Sequence, residues 1–104
     1  RRPTRLRHFD TPTTVSISQD TMRNRTMLEL VCADQPGLLS LVGRVFHKRG
    51  ILLDAAKIAT IGERAEDVFY ITDRQHQPIT SDKALEELRE VLTRTLSNAE
   101  SAHK

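Results

Sequence analysis

The sequence predicts a two-layer α+β fold with the element order β-β-α-β-β-α. Three observations carry that reading. Short alternating or apolar runs stand at Thr14–Ser18, Thr26–Ala33, Ile51–Ile61 and Asp67–Asp73, each bounded by turn residues. Between the second and third runs the apolar period lengthens to that of a helix, with Leu38, Leu39, Val42, Val45 and Phe46 on one side. A second helical repeat, Leu85, Leu88, Leu92 and Leu96, closes the chain.

Taken in order, Arg1–Thr13 combines Pro3, Pro12 and charge with little hydrophobicity, and is expected to be a linker over residues 1–12. Val15 and Ile17 alternate with Thr14, Ser16 and Ser18, as in a half-buried strand, and polar Gln19–Arg25 turns the chain. In Thr26–Ala33, Leu28, Leu30 and Cys32 oppose Met27, Glu29, Val31 and Ala33; both sides are largely apolar, which predicts a central strand.

The first helix starts at Leu38 and is expected to end at Gly50, where a left-handed residue is needed. Ile51–Ile61 returns to a strand with small Ala55, Ala56 and Ala59. Gly62–Ala65 turns, and Phe69 and Ile71 then oppose Val68 and Tyr70. Gln75–Thr80 reads as loop around Pro78. Ser81 or Asp82 can cap the last helix, on which Glu90 and Arg94 form an i,i+4 pair. The domain is expected to span 13–98, with 99–104 a disordered tail.

With 104 residues the chain is long enough for one modest core. An Arg-rich opening without Met reads as a piece of a longer protein, with none of the apolar run of a secretory signal. No stretch has the length of a membrane span. The one cysteine, Cys32, lies in an apolar strand pattern and fits a reducing cytoplasm. The net charge of +2 does not point to nucleic acid. Arg1, Arg2, Arg5 and Arg7 hold four of the 16 basic side chains, leaving the remainder with 12 against 14 acidic ones, and no basic recognition element appears.

Reactive constellations are absent from the sequence. It has no Gly-rich phosphate loop or nucleophile elbow, and His8, His47, His76 and His103 fall on separate elements, so neither catalysis nor a metal or other cofactor is assigned to it. The candidate binding site is the strand-to-helix junction Asp34-Gln35-Pro36-Gly37-Leu38-Leu39. Amides in the first turn of a helix lack intrahelical acceptors and sit at the positive end of its dipole. They can hold a carboxylate while Asp34 is available to an ammonium group. Alternatively Asp34 is only an N-cap and Pro36-Gly37 only a turn. Asp54 is a further candidate, acting across an interface.

At Asp34-Gln35-Pro36-Gly37-Leu38-Leu39 the chain resembles the ACT domain family, whose members sense amino acids through such a junction. The run from Asp54 to Asp73 (DAAKIATIGERAEDVFYITD), with Arg25–Val31 and His8–Val15, is similar to the C-terminal regulatory domain of enzymes that both attach and remove a nucleotidyl group on the PII signalling protein.

This resemblance implies a ferredoxin-like sandwich, glutamine as ligand and no catalytic residues in this region. It also implies a second ACT domain as partner, in cis or in a homodimer, and a magnesium-dependent parent. Ordinary ACT domains run β-α-β-β-α-β. Here a permuted topology is expected, with Val15–Ser18 in the slot of the missing last strand, followed across the sheet by Met27–Ala33, Val68–Asp73 and Ile51–Ile61. Both helices then lie on one face of the four-stranded antiparallel sheet, and the other face is left for a partner. Leu52 stands where related serine-binding domains carry a polar amide. The alternatives are a ligand-free interaction module, or a domain that senses another amino acid in a biosynthetic enzyme.

Overall fold

The computed structural model describes residues 11–102; residues 1–10 of the linker expected over 1–12, with His8, and the last two residues, with His103, lie outside them. The elements are β1 (Thr14–Asp20), β2 (Arg25–Ala33), α1 (Leu38–Lys48), β3 (Leu52–Lys57), β4 (Thr60–Ile61), β5 (Arg64–Thr72) and α2 (Asp82–Ala102). The strands form one antiparallel sheet in the order β1-β2-β5-β3, with β4 also paired to β5. The permuted order expected from the sequence is the one observed.

Cross-strand register puts the apolar sets on one face. Val15 stands opposite Leu30 and Ile17 opposite Leu28; on the far side of β2, Leu28 meets Phe69 and Cys32 meets Ala65. Helix α1 adds Leu38, Val42, Val45 and Phe46 to this core, and α2 adds Leu88, Leu92 and Leu96. Phe46 packs edge-on against Phe69, with ring centroids 5.7 Å apart, and so ties α1 to β5. The opposite sheet face carries no helix. Met27, Val31, Val68 and Tyr70 remain half-buried there and Glu29 is exposed.

Local chemistry sets the ends of the elements. Asn24 takes the left-handed conformation in the β1–β2 turn. Helix α1 ends as a Schellman motif: Gly50 has φ +70°, its N–H bonds the His47 carbonyl, and the Ile51 N–H bonds the Phe46 carbonyl at 2.9 Å. Ser81 Oγ accepts the Ala84 N–H at 3.2 Å and caps α2. An ion pair on α2 joins Glu86 to Arg89, while Glu90 and Arg94 are exposed.

Two expectations need correction. The backbone of 99–102 is helical, so the domain does not give way to a tail at 99. Ala99, Glu100 and Ala102 have high helix propensity and no breaker intervenes before them. The run Ile51–Ile61 is also two strands. Pairing shifts register between Leu53 and Ala55 and stops after Lys57, and only Thr60 and Ile61 re-enter the ladder. At the gap the Ala59 N–H turns to a side chain of β5, as described below.

Candidate functional site

Strand β2 ends at Ala33, and the Asp34 N–H is held by the Glu63 carbonyl at 2.8 Å, beside the tight β4–β5 turn. The chain then reverses through Gln35-Pro36-Gly37-Leu38. The Leu38 N–H reaches the Gln35 carbonyl at 3.3 Å, and Gly37 has φ +75° and ψ +11°. Proline at the second position and a left-handed glycine at the third make a type II turn. Pro36 is exposed and does not line the cleft formed here, so its part is to set the bend.

Gly37 is also the N-cap of α1, with no side-chain cap bond, and the first turn holds no acidic residue. Asp34 is therefore not sealed onto its own helix. The Leu41 N–H takes the Gly37 carbonyl, and the Leu38 N–H is used in the turn. The Leu39 and Ser40 N–H groups have no carbonyl behind them in the helix. The first turn of α1 thus carries no acidic side chain of its own at the positive end of the helix.

These groups open onto a cleft of about 350 Å3 lined by Asp34, Gln35, Leu38, Leu39, Thr60 and Asp67, with Gly37, Ser40, Ile58 and Ala65 completing its wall. Of the residues singled out from the sequence, Asp34, Gln35, Gly37, Leu38 and Leu39 are brought together here. Leu38 is chiefly a core residue and Leu39 is half-exposed.

Asp54 is placed elsewhere. Its carboxylate meets the Arg25 guanidinium at 2.6 Å, away from the cleft and at the register shift in β3. Arg25 also bonds Asp20 at 3.0 Å and lies 4.0 Å from the centre of the Tyr70 ring. Chiefly the bond to Asp54 holds this guanidinium protonated beyond its usual range. The residue thus ties β1, β2, β3 and β5 together on the face that lacks helices.

Two polar groups in the cleft are buried without hydrogen-bond partners: the Gln35 amide, through both Nε2 and Oε1, and Asp67 Oδ2. Asp67 is 2% exposed and stands opposite Leu30 on the core face of β5. Its Oδ1 accepts the Ala59 N–H at 3.2 Å. Burial pushes the carboxyl above its ordinary range; the Ala59 N–H opposes this, and the charge of Asp34 adds to it. By contrast the buried Thr26 hydroxyl donates to Gln19 Oε1 and accepts the Ile79 N–H.

Asp67 was not singled out from the sequence, although a signal was present. In Arg64–Thr72 the core face reads Ala65, Asp67, Phe69, Ile71, and a carboxylate breaks an otherwise apolar series. Starting the strand at Asp67 rather than at Arg64 concealed that break.

A family model described as "ACT domain" matches residues 26–93. Among similar proteins, the "Bifunctional uridylyltransferase/uridylyl-removing enzyme" of Pseudomonas entomophila is 43% identical over 100 residues, 96% of this chain and 11% of that protein. Enzymes of the same name from Acinetobacter baylyi and Methylococcus capsulatus are 48% identical over 82 residues and 47% over 87. Those matches cover 79% and 84% of this chain, and 9% and 10% of the respective enzymes. The chain spans about a tenth of the length of these relatives. With residues 26–93 matched, and with a two-helix antiparallel sheet whose first core strand passes through Pro36-Gly37 into α1, the chain belongs to the ACT domain family.

Proposed function

We propose that the chain is a regulatory domain that senses glutamine for a bifunctional uridylyltransferase/uridylyl-removing enzyme. In this reading glutamine shifts that enzyme between attaching uridylyl groups to PII and removing them. The observation that carries the binding part is the start of α1, without a side-chain cap, facing a cleft with a buried, unpartnered Gln35 amide. The ligand carboxylate rests on the Leu39 and Ser40 N–H groups. The Gln35 amide, a donor and an acceptor side by side, matches a ligand carboxamide. A volume of about 350 Å3 lies in the range of small-molecule sites. The names of the relatives support the parent enzyme and the chemistry it controls.

Regulation requires that glutamine bind one domain arrangement more tightly than another. A coupling of about 1–3 kcal/mol is the usual scale, and a few charge-assisted hydrogen bonds supply it. Among the described residues no group of three or more His, Cys, Asp or Glu is placed to hold a metal ion. Nor is any described helix long and apolar enough to cross a membrane.

Titration calorimetry of the intact protein with glutamine and with the other amino acids tests the reading. Saturable heat with glutamine, weakened in Asp34→Ala together with altered regulation of PII uridylylation, supports it; no heat with any amino acid rejects it.

A second reading, a docking module without a ligand, draws on the exposed edge formed by Leu52, Leu53, Ile58 and Ile61. Its partner is a second ACT domain, in cis or from another copy. Sedimentation separates the two, since association indifferent to glutamine favours docking alone.

A further inference from the structure

We propose that Asp67 is the residue that selects for a free ammonium group in the cleft, so that the site discriminates against analogues of its ligand that lack that charge. The inference rests on reading the cleft as an amino-acid site and assigns the cation to a residue on β5, beyond the strand-to-helix junction.

Asp67 lines the cleft and is 98% removed from solvent, yet only one of its two oxygens is bonded, by Ala59 N–H. A buried carboxylate oxygen without a donor is costly unless a cation or donor arrives from outside. None of the described neighbours supplies one. From the end of β2 the charged neighbour is Asp34, which repels; from the segment between β3 and β4 comes only the Ala59 N–H; the first turn of α1 offers no acidic side chain and apolar Leu38 and Leu39. Ile58 and Ala65 add apolar wall, and the Gln35 amide and the Ser40 and Thr60 hydroxyls line the same cleft without bonding Oδ2.

An ammonium entering between Asp34 and Asp67 answers all three terms at once. It donates to Oδ2, offsets the desolvation of the carboxylate and screens the repulsion between the two acids. A hydroxyl or keto group in its place brings no positive charge, so the repulsion between the two acids remains. The carboxylate of the same ligand meanwhile lies on the amides of Leu39 and Ser40, so α1 and β5 each take one pole of a zwitterion. Asp34, being exposed, contributes less than Asp67 because water screens it. Ammonium binding also favours the ionised form of Asp67.

The test uses the intact protein and calorimetry with glutamine and its α-hydroxy analogue, for wild type, Asp67→Asn and Asp34→Asn. Asp67→Asn keeps an acceptor for Ala59 N–H. We expect it to lose roughly tenfold or more in glutamine affinity, to bind the hydroxy analogue as wild type does, and to lose more than Asp34→Asn. A merely structural role would weaken both ligands alike and is thereby rejected or established. If Asp67→Asn retains wild-type affinity and preference for glutamine, Asp67 is not the selector, while the amino-acid site itself stands. If wild type binds no amino acid, both fall.

Discussion

Asp67 occupies a core-facing position of β5 and uses Oδ1 to take the N–H of Ala59 at 3.2 Å, at the point where the edge strand breaks between Lys57 and Thr60. The side chain fills the place of a ladder bond to the edge, while the Glu66 N–H takes the Ala59 carbonyl at 2.9 Å. One carboxylate therefore interrupts β3–β4 and lines the cleft beside α1. Sheet irregularities of this kind re-aim groups next to sites.

The pH dependence of stability follows from the raised Asp67 carboxyl. Between its ordinary value of 3.8 and its higher folded value the native state holds more protons than the unfolded chain. Stability from this group is thus full below the lower value and is lost as pH rises through the upper one. Asp67→Asn removes that loss. The melting-temperature difference, variant minus wild type, is expected to grow from acid toward neutral pH; a flat or falling difference contradicts the assignment.

Gly37 holds φ +75° at the third position of the Pro-Gly turn, and a Cβ there would meet nothing within 4 Å. Gly37→Ala therefore fails by backbone strain and not by collision, at a cost of about 1–2 kcal/mol. Chemical denaturation should register that loss with an unchanged m-value.

Arg25 and Asp54 form a separate unit on the sheet face without helices. Arg25→Ala removes both carboxylate contacts and the stacking on Tyr70, and is expected to lower the melting temperature, with a smaller deficit at high salt than at low. Asp54→Ala should shift stability in the same direction while leaving glutamine affinity unchanged. Weakened binding in that variant would return Asp54 to the site.

Leu92 on α2 is fully buried against the sheet. Leu92→Ala is expected to cost about 2–5 kcal/mol, since the cavity can close only partly beneath a helix held at both flanks by Leu88 and Leu96. Replacing the exposed Met22 by Ala should change little by comparison. Equal effects at the two positions would show that α2 is not seated as described.

Much of the architecture was legible because it rests on local periodicity and turn chemistry. The switch from period two to a helical period at Leu38, the Gly50 stop and the Ser81 cap each act within a few residues, and each element formed where those signals stand. The break at Ile58-Ala59 was not legible, because a side chain eight residues later decides it. Nor did the sequence reveal that Asp54, a candidate for acting across an interface, pairs with Arg25 at a register shift in β3.

The chain by itself determined both helices, the main strands and the left-handed glycine behind Pro36, since these depend on local periodicity and backbone sterics within one turn. Tertiary structure decided which groups share the cleft. Asp67 reaches α1 only because β5 pairs with β2 in a register that sets it opposite Leu30, and the packing of α1 on that face removes it from water. Cross-strand pairing and desolvation are long-range properties, and they turn a strand carboxylate into a candidate for holding a cation.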